Sequence, residues 1–273
     1  MDIYPLRDAF FRLDGGAMFG IIPRRLWEKT CPPDESNRIR LGINILLIKA
    51  GGLNILVETG IGDKGDELFN SIYAIERRGA ITEVLKPCGV TPEDVSIVIN
   101  THLHFDHAGG NTMRDRDGTL RPAFPNARYI VQRGALREAM EPNERTRGSY
   151  REEDFMPLAE RGLFELIEGA SEIVKGVEVV PVSGHTGNIQ LVKVSSGGET
   201  ALFLSDIIPT ASHLRPAAVA GYDLYPLTTL EVKLRLVERA EEERWLLIFG
   251  HDPEILAGYL FSGDGRPVVE KVL

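Results

Sequence analysis

The pattern of apolar and polar positions predicts strands in two groups, with helices between and after them. Residues 40–49 (RLGINILLIK) and 53–58 (LNILVE) are β-rich runs separated by Ala50-Gly51-Gly52, the pattern of a hairpin. Residues 64–74 and 81–86 read as short helices, 87–92 as a breaker, and SIVIN at 96–100 as a buried strand. Farther on, 128–131 predicts a strand and 133–140 a helix, while 141–153, with Pro142 and Gly148, predicts a loop or mobile insertion. The runs 172–182, 189–194 and 200–204 predict an antiparallel meander, its last two strands joined by SSGGE. Thr228 and Glu231 form a capping-box pattern, and Leu230, Leu234 and Val237 then recur at helical spacing up to Glu243. A strand at 245–249 and a terminal hairpin around 262–266 complete the reading. Two strand groups interleaved with helices predict an α+β sandwich, two packed sheets with helices outside and loops gathered at one edge. No shift in composition divides the chain, so one domain over 1–273 is expected.

Composition narrows the partners. Hydrophobic residues make up 43% of the chain and charged residues 26%, enough for a packed core. The formal net charge of -9 argues against a nucleic acid, because phosphate backbones are held by clustered Lys and Arg. Pairs such as Arg24-Arg25 and Arg77-Arg78 belong to solvated faces. Cys31 and Cys88 are too few for a disulfide framework and too far apart for a close-spaced metal pair. No apolar run approaches the length that spans a bilayer, and the opening MDIYPLRDAF has no apolar signal core. The expectation is a cytoplasmic protein acting on a small molecule, without membrane or nucleic acid.

The chemistry concentrates at 100–111, NTHLHFDHAGGN, directly after SIVIN. Three histidines and an aspartate fall within six positions: His102, His104, Asp106 and His107. Imidazole and carboxylate suit zinc and its neighbours. Gly109 and Gly110 allow the loop to fold closely around an ion. Three more candidates each follow a β-rich segment: His185 in SGHTG, Asp206 in FLSDIIP and His251 in IFGHD. A lone histidine such as His185 is more often a packed residue than a ligand. Five of the six histidines at such positions argue jointly for metal binding.

The H-x-H-x-D-H motif followed by spaced His, Asp and His resembles the metallo-β-lactamase superfamily, from the hairpin at Arg40 to the strand before His251. The resemblance implies an αββα sandwich of two mixed β-sheets flanked by helices. It also implies two divalent ions, zinc first, with iron, manganese or cobalt as alternatives. His102, His104 and His185 would hold one ion, Asp106, His107 and His251 the other, and Asp206 would bridge. The implied activity is opening of lactones or cleavage of carboxylic esters by a metal-bridging hydroxide, with Asp106 as proton carrier. Thioester or phosphotriester hydrolysis is the alternative within hydrolases, and an iron-dependent dioxygenase the alternative outside them. Glu58, in VETG, stands where the family often has an Asp that orients a ligand histidine.

Within the superfamily the spacing looks most like the lactonase branch that includes N-acyl-homoserine lactonases. Several of those place a Tyr three residues after the bridging Asp, where this chain has Pro209. His213, Tyr222 and Tyr225 are the candidate substitutes. Met18, Phe19 and Trp27 are candidates to line an acyl pocket or a dimer contact, and the resemblance favours a homodimer.

Overall fold

A computed structural model describes residues 1–263 and 266–273. Its organising feature is alternation along strands that are buried on both faces. In Arg38–Ala50, Leu46 and Ile48 point to one side and Ile45 and Leu47 to the other, all fully buried. A strand covered on both sides reads as a continuous apolar run, which is why GINILLI carries almost no polar position. Leu46, Ile48, Ile55, Val57, Ile97 and Ile99 of the first sheet meet Val179, Val192, Phe203 and Ile248 of the second to form the inter-sheet core.

Among the described residues the two packed sheets have seven strands each, and Thr112–Arg114 pairs with Leu120–Pro122 in a separate two-stranded sheet. The first runs in the order Glu76–Arg77, Asp2–Asp14, Arg38–Ala50, Leu53–Val57, Val95–Ile99, Arg128–Gln132 and Phe164–Ile167. The second follows chain order from Ser171–Val174 to Arg266–Lys271, with one parallel pairing between Glu199–Phe203 and Leu246–Ile248. Helix Pro226–Glu242 covers the outer face of the second sheet, where Val232 and Ala240 meet Leu191, Leu202, Leu247 and Phe249. On the outer face of the first sheet, Leu85, Phe124 and Leu158 pack on Ile45, Leu47, Leu56 and Tyr129. This is the expected αββα sandwich. No helix of the described residues is long and apolar enough to cross a membrane.

Several expectations are corrected. Asp2–Asp14 is a long strand paired with Arg38–Ala50 from Asp2↔Lys49 to Asp14↔Arg38. Its charges and Pro5 hide that role until the partner is present. Residues 172–182 are two strands, Ser171–Val174 and Val177–Val182, turned at Gly176 with φ 82. The helix expected over 64–74 is only Glu67–Ile72, capped by Asp66. Lys64 is instead buried, pairing with Asp154 at 3.0 Å and donating to the Thr112 carbonyl at 2.8 Å. The helix expected from Thr228 begins at Pro226 without a side-chain cap, since proline is pre-set for a first helical position. Leu234 faces solvent, and the buried stripe runs through Thr229, Val232, Lys233 and Ala240. The Lys233 stem is buried because its Nζ donates to the carbonyls of Arg215 and Ala218. Segment 141–153 is tied down by a 3₁₀ turn, Arg147–Ser149, and the start of helix Glu152–Glu160. The terminal hairpin pairs Ala257–Gly263 with Arg266–Lys271, and its tip at 264–265 lies outside the described residues.

Because Ile97 sits in the inter-sheet core with 1% exposure, Ile97→Ala is expected to lower unfolding stability by about 2–5 kcal/mol. Urea denaturation of the two proteins measures this. A change below about 1 kcal/mol would mean that the two sheets do not pack as described.

Candidate metal centre

Strand ends from both sheets converge on one edge. Asn100–Thr101 leaves strand Val95–Ile99, and His104 then opens the single helical turn Phe105–Ala108, which carries Asp106 and His107. Gly110 lets this turn lie against the neighbouring loop, where a Cβ would stand 2.1 Å from the Thr59 carbonyl oxygen. His185 follows Val177–Val182, Asp206 sits in the 3₁₀ turn after Glu199–Phe203, and His251 follows Leu246–Ile248. All seven sequence-picked donors come together.

They form two groups that meet at Asp206. His102, His104, His185 and Asp206 offer ligand atoms within 4.8 Å of one another, as do Asp106, His107 and His251. Asp206 Oδ2 lies 3.2 Å from His185 Nε2 and 4.0 Å from His102 Nε2. Its Oδ1 lies 3.2 Å from His107 Nε2 and 2.9 Å from His251 Nε2. The carboxylate thus turns one oxygen to each group. Asp106 Oδ2 faces the second, 3.6 Å from His251 Nε2 and 3.8 Å from His107 Nε2.

The outward nitrogens decide what the inward ones can do. His185 Nδ1 donates to Asp223 Oδ1 at 3.0 Å, and His251 Nδ1 to the Gly42 carbonyl at 2.8 Å. Both partners only accept, so each inward Nε2 of the neutral ring is a bare lone pair. The Thr101 hydroxyl donates to Glu58 and therefore accepts from His102 Nδ1 at 3.0 Å. Glu58 Oε1 also lies 3.3 Å from His107 Nδ1, so the longer acid does reach a candidate ligand histidine.

These donors fit metal ions. His185 Nε2 and His104 Nδ1 stand 3.0 Å apart, and His251 Nε2 and His107 Nε2 3.1 Å apart. Facing lone pairs repel unless a cation lies between them, and ligands of one zinc ion are themselves on the order of 3 Å apart. His102 Nε2 and Asp206 Oδ1 are buried without a hydrogen-bond partner. Burial, then the neighbouring imidazoles, holds His102 and His104 well below the ordinary imidazole range. Burial is the largest influence on His107, His185 and His251 and opposes their charge, but Asp206 together with Asp106 and Glu58 at His107, Asp223 at His185 and Asp106 at His251 more than offsets it and draws all three upward. Burial would raise Asp206, yet His107, His251 and His185 hold it well below the carboxylate range.

Residues 38–251 match the family model described as the metallo-beta-lactamase superfamily. The chain belongs to that superfamily. It is 31% identical over 212 residues to an N-acyl homoserine lactonase of a Bacillus species, covering 73% of this chain and 77% of that protein. A probable metal-dependent hydrolase from Staphylococcus aureus superposes with a TM-score of 0.90 at 29% identity, over 100% of this chain and 98% of that one. An N-acyl homoserine lactone hydrolase with N-hexanoyl-L-homoserine bound at its catalytic metal center superposes at 0.70 with 26% identity, over 92% of this chain and 93% of that one.

The donors open onto a cavity of about 280 Å³. Its walls include Leu13, Met18, Tyr73, Phe105, Pro209, Ala220 and Tyr222, with His104, Asp106, Asp206 and His251 at its base. Tyr222 and Met18 therefore reach the cavity. Phe19 and Trp27 do not line it; they stack at 5.5 Å within the core beneath. Tyr225 is half exposed and lies off the cavity wall. His213 lies behind that wall, buried, its Nδ1 accepting from the Thr210 hydroxyl at 2.8 Å and its Nε2 donating to the Met18 carbonyl at 2.9 Å. Sequence reasoning missed Asp223, Thr101 and Tyr73. Asp223 stands 38 residues from the histidine that it orients, in GYDLYP, with no spacing signal to link the two.

Two outcomes follow. Asp223→Ala leaves His185 Nδ1 without its acceptor and is expected to weaken metal binding about 10–100-fold, as measured by chelator competition; unchanged affinity would show that Asp223 does not orient the ligand. His213 is held down to about 4 by burial. Between pH 6.5 and 4 the unfolded chain takes up its proton while the folded one does not, so His213 lowers stability as pH falls through that window, by up to roughly 3 kcal/mol. His213→Gln should therefore lose less stability than the parent between those pH values in denaturant titrations. Parallel slopes would contradict the burial of a neutral ring.

Proposed function

We propose that the protein is a dinuclear metal-dependent hydrolase that opens lactones or cleaves carboxylic esters. The observation that carries this reading is the division of Asp206 between the two histidine groups, one oxygen to each. His102, His104 and His185 would hold one ion, Asp106, His107 and His251 the second, and Asp206 both. Imidazole and carboxylate donors make zinc the first expectation. When bound, such a pair supplies a water whose pKa is lowered towards ~7 and positive charge opposite a developing oxyanion.

The chain's own residues supply the rest. Leu13, Met18, Phe105 and Ala220 offer an apolar wall to an acyl group and keep bulk water from the reacting bond. Asp106 borders both the cavity and the second histidine pair, where it can carry a proton to the leaving oxygen. Tyr222, pushed up to about 12 by burial, stays protonated at neutral pH and serves as a hydrogen-bond donor rather than a base. It offers the phenol that Pro209 cannot, and Tyr73 lines the same cavity. The similarity to N-acyl homoserine lactonases supports lactones ahead of thioesters and phosphotriesters.

Elemental analysis of the purified protein, with hydrolysis of a lactone, aryl ester, thioester and phosphotriester panel, tests the reading. About two zinc-like ions per chain, with lactone or ester turnover lost in His104→Ala, is the expected result. A single iron with oxygen consumption and no hydrolysis would sink it.

A further inference from the structure

One cation on the cavity wall belongs to neither histidine group. Arg145 lies between helices Arg133–Met140 and Glu152–Glu160, and its Nη2 donates to the Gly221 carbonyl at 2.7 Å. That bond ties its segment to the one carrying Tyr222, so the guanidinium bridges two walls of the cavity. Its backbone is pre-set: Asn143 Oδ1 accepts from the amides of Arg145 at 2.9 Å and Thr146 at 3.2 Å, and Thr146 is buried. Such an Asx turn holds the Arg145 Cα in place without help from a ligand.

The charge of Arg145 is not spent inside the protein. A guanidinium carries five N–H donors, and the Gly221 carbonyl occupies one nitrogen. Glu144, its neighbour in sequence, pairs with Arg147 at 3.0 Å instead. Asp14, at the end of strand Asp2–Asp14, accepts from the Ala17 amide and the Asn37 side chain. Among the described residues no carboxylate pairs with Arg145, which is solvent-exposed and lines the cavity together with Leu13, Met18 and Tyr222. A pre-set fork of donors in such a place matches a planar anion.

We propose that Arg145 determines substrate specificity by binding a carboxylate on the part of the substrate remote from the scissile bond. Preferred substrates are then lactones or esters whose acyl portion ends in a carboxylate, rather than in a plain alkyl chain. This inference rests on the hydrolytic reading of the metal centre, and its test separates the two.

The metal-loaded protein, Arg145→Met and Arg145→Lys are compared on N-succinyl- and N-butanoyl-homoserine lactone, four-carbon acyl groups that differ in the terminal carboxylate. The parent is expected to favour the succinyl compound by about tenfold or more in kcat/KM. Arg145→Met brings that ratio to about one through KM, and Arg145→Lys keeps part of it. Equal preference in the parent, or a Met variant that depresses both substrates alike, overturns the proposal; the second is the mark of a merely structural tether. Calorimetric binding of the succinyl γ-lactam, which cannot be opened as a lactone, reads Arg145 even if neither lactone is hydrolysed. About tenfold weaker binding in Arg145→Met supports its role, and equal binding overturns it.

Discussion

Everything near the open edge of the sandwich depends on one largely buried carboxylate facing two sets of imidazoles. Asp206 is pulled by His107, His251 and His185 at once, and the same rings would repel one another without it. Polar groups taken out of water must be paired or they destabilise the fold. On the inward side the pairing partner that fits is a cation, so the outward side has to hold each ring in the right tautomer. Asp223, the Gly42 carbonyl and the Thr101 hydroxyl do so for His185, His251 and His102.

That requirement reaches into the backbone. Glu58 and Ser205 are non-glycine residues with φ of 63° and 45°, and both border the site. The left-handed region is costly for such residues and is kept where surrounding bonds over-determine it. Here Glu58 bonds Thr101, and the Thr101 hydroxyl also meets Ser205 Oγ at 2.7 Å, linking the strand end before His102 to the turn that presents Asp206.

The two sheets have to hold their relative position for these donors to meet. Besides the inter-sheet core, a polar clamp crosses between them. Asn44 Nδ2, on the first sheet, donates to the Phe249 and Asp252 carbonyls at 2.8 and 3.0 Å. Arg7 Nη2 donates to Asp252 O at 2.9 Å. The loop carrying His251 thus leaves the second sheet but is gripped by the first. The donor set and its clamps define the chemistry, whereas the loops around Met18, Arg145 and Tyr222 define the cavity that a substrate must enter.

The sequence by itself determined the donor list and the layer architecture. His102, His104, Asp106 and His107 are close in the chain, so local density reveals them. His185, Asp206 and His251 show because each follows shortly after a β-rich segment. Continuous apolar runs likewise mark the doubly covered strands, because burial on both faces removes the polar positions from the chain. What the tertiary structure decided are the pairings that join distant positions. Asp2–Asp14 becomes a strand only against Arg38–Ala50, and the helix after Tyr225 turns Lys233 rather than Leu234 inward because two carbonyls await the amine. His213 is drawn behind the wall by Thr210 and Met18, and Asp223 is brought to His185 across 38 residues. A hydrogen bond between residues far apart in the chain leaves no periodic trace, since its geometry exists only once both segments are packed.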